Sequence, residues 1–130
     1  MSEQEENIEV IKKGYDAFTT GDMETMMSLF DDNIEWVQPG DSAISGTYHG
    51  KGELGEYFMR LGEKSPTIKP LRFLADGDSV VVLSDVIVGG EPGQGAEVFT
   101  LRDGKTVRAQ LFEDTALMKR VFGKKQVAAG

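Results

Sequence analysis

The order of the periodic segments constrains this chain most: helical patterns dominate the first half and, after Ser65-Pro66, strand patterns follow one another with no return to helix until the very end. From Glu5 to Thr19 the apolar positions Ile8, Ile11, Tyr15 and Phe18, joined by Val10 and Ala17, make one face of an amphipathic helix ended at Gly21. Asp22 reads as the N-cap of a short second helix with Met23, Met26, Met27 and Phe30 on its buried side. Ile34 to Gln38 reads as a strand stopped by Pro39-Gly40, the stretch through Gly50 as a polar loop, and Lys51 to Leu61 as a third helix burying Leu54, Tyr57, Phe58 and Leu61.

After Ser65-Pro66 the period changes. Thr67 to Leu74, Ser79 to Val88, Ala96 to Leu101 and Thr106 to Phe112 read as strands, with Asp76-Gly77 and Asp103-Gly104 as tight hairpin signals. Gly89 to Gly95 reads as a long hairpin loop, and Thr115 to Phe122 as a terminal helix stopped by Gly123. Such an order excludes alternating βαβ units. It predicts an α+β fold: a curved, mostly antiparallel sheet forming a cone around the N-terminal helices, with an internal pocket. The 130 residues are the usual size of one domain, taken as residues 1–130.

Composition narrows the partners. With 22 acids against 14 bases the net charge is -8, which repels phosphate backbones and anionic lipid, so nucleic acid is not an expected partner. The basic group Lys119, Arg120, Lys124 and Lys125 reads as a solvated helix end. The acidic start and the lack of a long apolar run predict neither export nor a membrane anchor, and the absence of cysteine fits a cytoplasmic protein. His49 stands alone, so no metal site and no histidine-based triad is expected.

Three fragments carry a family resemblance: Ala17-Phe18-x-x-Gly21-Asp22 leading through Met27 and Asp32 to Ile34-x-Trp36; Gly46-Thr47-Tyr48-x-Gly50 before the third helix; and Arg102-Asp103-Gly104-Lys105 followed by Phe112-Glu113-Asp114-Thr115-Ala116. In this order and spacing the chain resembles the nuclear transport factor 2-like superfamily, which includes ketosteroid isomerases and SnoaL-like polyketide cyclases. The resemblance implies the cone fold, and a small hydrophobic ligand bound without a cofactor. In a ketosteroid isomerase a carboxylate on the first strand moves the proton. Here that position falls on Gln38, which has no useful basicity, so the isomerase reaction by this route is not expected. The oxyanion tyrosine falls near Gly14, with Tyr15 one place away, and the protonated acid falls on Glu97. The Arg-x-Asp pair of the epoxide-hydrolase branch does not occur.

The candidate catalytic residues are Glu97 and Asp114. Glu97 shares strand parity with Phe99 and Leu101; facing the cavity, it would be desolvated into a proton donor or base, whereas a register slip of one residue would turn it to water. Asp114 either shares acid and base duties with Glu97 or only caps the last helix. The expected pocket wall is Tyr15, Phe18, Trp36, Phe58, Phe99 and Phe112, with Gln38 and Gln110 as its polar groups and the methionines of the second helix as an adaptable side. Two functions fit: a cofactor-independent proton-transfer enzyme acting on a hydrophobic molecule, or a non-catalytic ligand-binding or assembly module. In either, a homodimer through the sheet face is expected.

Overall fold

A computed structural model describes residues 2–126. Helix α1 (Glu3–Thr20) begins at Ser2, whose side chain accepts from the Glu5 N–H, and ends at Gly21 in the left-handed conformation. Helix α2 (Met23–Ser28) is capped by the Asp22 carboxylate on the Thr25 N–H. Strand β1 (Phe30–Gln38), strand β2 (Gly46–His49) and helix α3 (Gly50–Gly62) follow. Strands β3 (Thr67–Asp76), β4 (Ser79–Val88), β5 (Glu91–Arg102) and β6 (Lys105–Glu113) then lead to helix α4 (Thr115–Phe122).

The six strands form one sheet in the order β2-β1-β6-β5-β4-β3. Consecutive strands β3 to β6 make the antiparallel meander, and β1 joins it parallel to β6. The sheet is curved and unclosed, and the helices fill its hollow: α1 lies against β3 and β4, α3 against β1 and β2. Ile34, Leu54, Tyr57, Val80, Val82 and Ala109 are buried at the centre of the resulting core. Among the described residues no helix is long and apolar enough to cross a membrane.

Three segments depart from the sequence expectation. Phe30, expected on the buried side of the second helix, opens β1 instead, because α2 has already ended at Ser28. The polar loop before α3 contains β2, which pairs with β1 from Glu35↔His49 to Gln38↔Gly46; its exposed, polar alternation masks a strand held mainly by backbone bonds. Gly89 to Gly95 is not a loop. The turn is Gly89-Gly90 alone, both at positive φ, and β5 starts at Glu91. Gly93 is in that strand because another element comes close: a Cβ there would stand 2.5 Å from Leu117 Cδ2 of α4.

Candidate functional site

Inward residues of β1, β6, β5 and β4 stand in rows across the sheet. Trp36, Ala109, Phe99 and Val80 make one row; Leu111, Glu97 and Val82 the next; Glu113, Gly95 and Ser84 the third. Helices α1 to α3 roof these rows, leaving a cavity of about 90 Å³ walled mostly by apolar side chains. One water needs roughly 10–15 Å³ by that measure, so several fit. Tyr15, Phe18, Trp36, Phe58 and Phe99 all line the cavity, as does Glu97. Of the α2 methionines only Met26 does so; Met23 is exposed.

Glu97 is the polar centre. Its Oε1 accepts a 2.7 Å hydrogen bond from the Tyr15 hydroxyl, and the Ser84 hydroxyl stands 3.1 Å from both carboxyl oxygens. Among the described residues no lysine or arginine forms a salt bridge with it. Burial without a cation pushes its pKa up from 4.5 to about 7; the bonds from Tyr15 and Ser84 pull the other way, and the charge of Glu113 adds to the rise. The carboxyl is therefore held far more readily in its protonated form than an ordinary glutamate. Tyr15 is held well above its ordinary pKa by burial and then by the neighbouring Glu97 charge, so it acts as a donor.

A second acid reaches the cavity that sequence reasoning did not select. Glu113, at the end of β6, lines the wall, and burial raises its pKa while a bond from the Gln38 amide opposes the rise. Gly95 makes room for both acids: a Cβ there would lie 3.2 Å from Glu97 Oε2 and 3.6 Å from Glu113 Cβ. Gln38 is buried behind the wall rather than on it. Its Nε2 donates to Glu113 Oε1 and its Oε1 accepts from the Tyr57 hydroxyl at 2.5 Å, which orients the amide and leaves it to hold Glu113.

Three expected site residues stand elsewhere. Asp114 is exposed and caps α4, accepting from the Leu117 N–H at 2.9 Å. Gln110 accepts from Arg108 on the outer face, and Phe112 is 56% exposed there. The physical cause is one bulge. Leu101 pairs with Thr106 but Thr100 pairs with Arg108, so Val107 has no partner and the parity of β6 inverts beyond it. A straight ladder from the Asp103-Gly104 turn would have sent Gln110 and Phe112 inward; the bulge sends Ala109, Leu111 and Glu113 there instead. His49 is exposed at the start of α3. Of the basic group, Lys119 pairs with Asp41 and Arg120 with Glu91 on the surface.

Comparison with known proteins gives a family and a set of similar folds. The SnoaL-like domain matches residues 11–109. Among solved structures, Bal32a from a soil-derived mobile gene cassette is 27% identical with a TM-score of 0.85, over 95% of this chain and 100% of that one. TerC, co-crystallised with polyporic acid, is 26% identical with a TM-score of 0.81, over 90% and 98%. An NTF2-like protein from Burkholderia thailandensis E264 is 26% identical with a TM-score of 0.78, over 88% and 95%. None of the curated proteins matches.

Proposed function

The chain belongs to the family of SnoaL-like domains, and on that premise we propose that it binds a small hydrophobic molecule in the cone cavity and moves a proton on it without a cofactor. The observation that carries this reading is Glu97: a carboxyl in an apolar hollow, gripped by two hydroxyls, with its pKa at about 7. A base poised at the working pH takes a proton from a weak carbon acid and can return it. On a ketone, the Glu97 carboxylate removes a proton from the carbon beside the carbonyl, leaving an enolate. The carboxylic acid so formed delivers the proton to another carbon, so the step is balanced and consumes nothing. Glu97 thus takes the part that Gln38 is unable to play. Glu113 supplies a second acid on the same wall, replacing Asp114 in the two-carboxyl arrangement. That TerC, of the same fold, was co-crystallised with polyporic acid supports a small organic ligand for this scaffold.

The test uses native mass spectrometry with polyporic acid and a panel of ring ketones, followed by deuterium exchange at the α-carbon of any ketone that binds. A one-to-one complex whose exchange is accelerated by the protein and returns to background in Glu97→Gln is the expected result. Acceleration that survives the substitution refutes the role of Glu97.

A second reading, assembly without catalysis, draws on the outer sheet face. Leu83, Ala96 and Phe112 stand opposite one another there, and Leu83 and Phe112 are exposed. A homodimer through this face would cover them. Sedimentation at micromolar concentration tests it, and a strictly monomeric chain would count against it. Cytoplasmic location is part of either reading, supported by the absence of cysteine.

A further inference from the structure

The two cavity acids differ in what the protein gives them. Both oxygens of Glu97 are served, Oε1 by the Tyr15 hydroxyl at 2.7 Å and each by the Ser84 hydroxyl at 3.1 Å. Glu113 has one such partner: Gln38 Nε2 donates to its Oε1, and among the described residues nothing bonds to Oε2. That oxygen is not sealed in, because Trp36 Nε1 is the one side-chain nitrogen or oxygen among the described residues that is both fully buried and unpaired. Glu113 lines the cavity, so Oε2 is left to whatever occupies it.

The groups behind Glu113 fix the sense of its bond to Gln38. The Trp36 N–H lies against the Tyr57 hydroxyl and can only donate. Tyr57 gives its own proton to Gln38 Oε1 at 2.5 Å, which turns the Gln38 NH₂ toward Glu113. With the amide turned over, its NH₂ would face Tyr57, whose hydroxyl has no other acceptor among the described residues. Glu113 Oε1 is therefore an acceptor, and a donor on it favours the carboxylate against the burial that opposes ionisation. The charge of Glu113 is among the causes that lift the Glu97 pKa to about 7, so it is present while Glu97 titrates. An ionised Glu113 offers the cavity an acceptor and no proton.

We propose that Glu113 determines ligand specificity by accepting a hydrogen bond at Oε2 from a ligand hydroxyl, so that the ligand class is a compact hydroxy ketone with its hydroxyl at Glu113 and its acidic carbon toward Glu97. The sheet sets this alignment. Glu97 faces Leu111 and Gly95 faces Glu113, so the two acids are diagonal neighbours on β5 and β6, about 7 Å along the strands and about 5 Å across. Gly95 keeps the corner between them free of a side chain. A hydroxyl bonded to a buried carboxylate gains a charge-assisted bond, whereas an ether oxygen in its place meets an acceptor with an acceptor. This assignment rests on the proposed ligand pocket but concerns which ligands that pocket prefers.

The probes are indane, 2-indanol and 2-methoxyindane: one bicycle bare, with a hydroxyl donor, and with an ether that only accepts. Binding of each is followed through the methyl signals of Leu111 and Val86, both on the wall. In Glu113→Gln the new oxygen turns to the Gln38 NH₂, which leaves the new NH₂ for the cavity, a donor where an acceptor stood. The expected result is that the parent binds 2-indanol about tenfold more tightly than 2-methoxyindane and that Glu113→Gln erases this preference. If the probes bind but the parent does not prefer the alcohol, or if Glu113→Gln keeps the preference, the assignment is overturned while the ligand pocket stands. If no probe shifts the wall methyls, the pocket reading falls and this assignment falls with it. The preference of the unsubstituted protein decides the matter even if Glu113→Gln fails to fold.

Discussion

Tyr15, on the first helix, donates a 2.7 Å hydrogen bond to Glu97 Oε1 in the middle of β5, joining the roof of the cavity to its floor. This bond stabilises the ionised form of Glu97 against the burial that opposes it. Tyr15→Phe should therefore raise the Glu97 pKa above 7, and Ser84→Ala should do the same. Titration of a 13C-labelled Glu97 carboxyl measures both; a lower pKa in either variant would contradict the geometry.

Glu113 acts on Glu97 in the opposite sense, since its charge raises the Glu97 pKa. Glu113→Gln removes that charge and should lower the Glu97 pKa in the same titration. The new amide can still pair with Gln38 by turning its oxygen toward the Gln38 NH₂. A fold that survives with an unmoved Glu97 titration would separate the two acids.

Stability should fall as pH rises. The folded pKa of Glu97 is about 7 against 4.5 for the free side chain, so the folded state holds more protons between those values. The contribution is complete below pH 4.5 and is lost as pH rises through 7, reaching roughly 3 kcal/mol for the full shift. Glu97→Gln should flatten this limb and make the protein more stable than the parent at pH 8. Denaturant midpoints at pH 5 and pH 8 compare the two directly.

Asp114→Ala should cost about 1 kcal/mol through loss of the α4 cap, with ligand affinity unchanged. Urea melts and a binding isotherm on the same sample distinguish this from a role in the site. A large loss of affinity without loss of stability would return Asp114 to the candidate catalytic pair.

Gly95→Ala should disturb the site more than the fold. The added methyl would meet Glu97 Oε2 at 3.2 Å, tighter than ordinary contact, and the backbone oxygen of Phe112 at 3.5 Å. The carboxylate has to give way, so the Tyr15 bond should lengthen and the Glu97 pKa should change, for a stability cost of about 1 kcal/mol. An unaltered Glu97 titration in a folded Gly95→Ala protein would show that the two acids do not need that gap.

Local pattern was enough for much of this molecule. Helix faces followed from spacing, as at Ile11, Ala17 and Tyr57; α4 followed from its cap and its terminal glycine; and the hairpins at Asp76-Gly77 and Asp103-Gly104 followed from turn chemistry. The parity of Glu97 with Phe99 and Leu101 placed the three on one face, because alternation within a strand is a property of consecutive residues. Strand β2 and the start of β5 were hidden because their residues are polar or glycine, and only pairing with β1 and β4 makes them strands.

Which face of β6 looks inward was beyond any local reading. One unpaired residue, Val107, exchanges Gln110 and Phe112 for Leu111 and Glu113, and nothing in the strand's own composition records it. The sequence alone therefore determined most of the elements and their order, and singled out Glu97 as a candidate without deciding which way it faces. Tertiary pairing decided the other acid and the roles of Gln38 and Asp114, because strand register is fixed by partners distant in the chain, where a shift of one residue turns every side chain over.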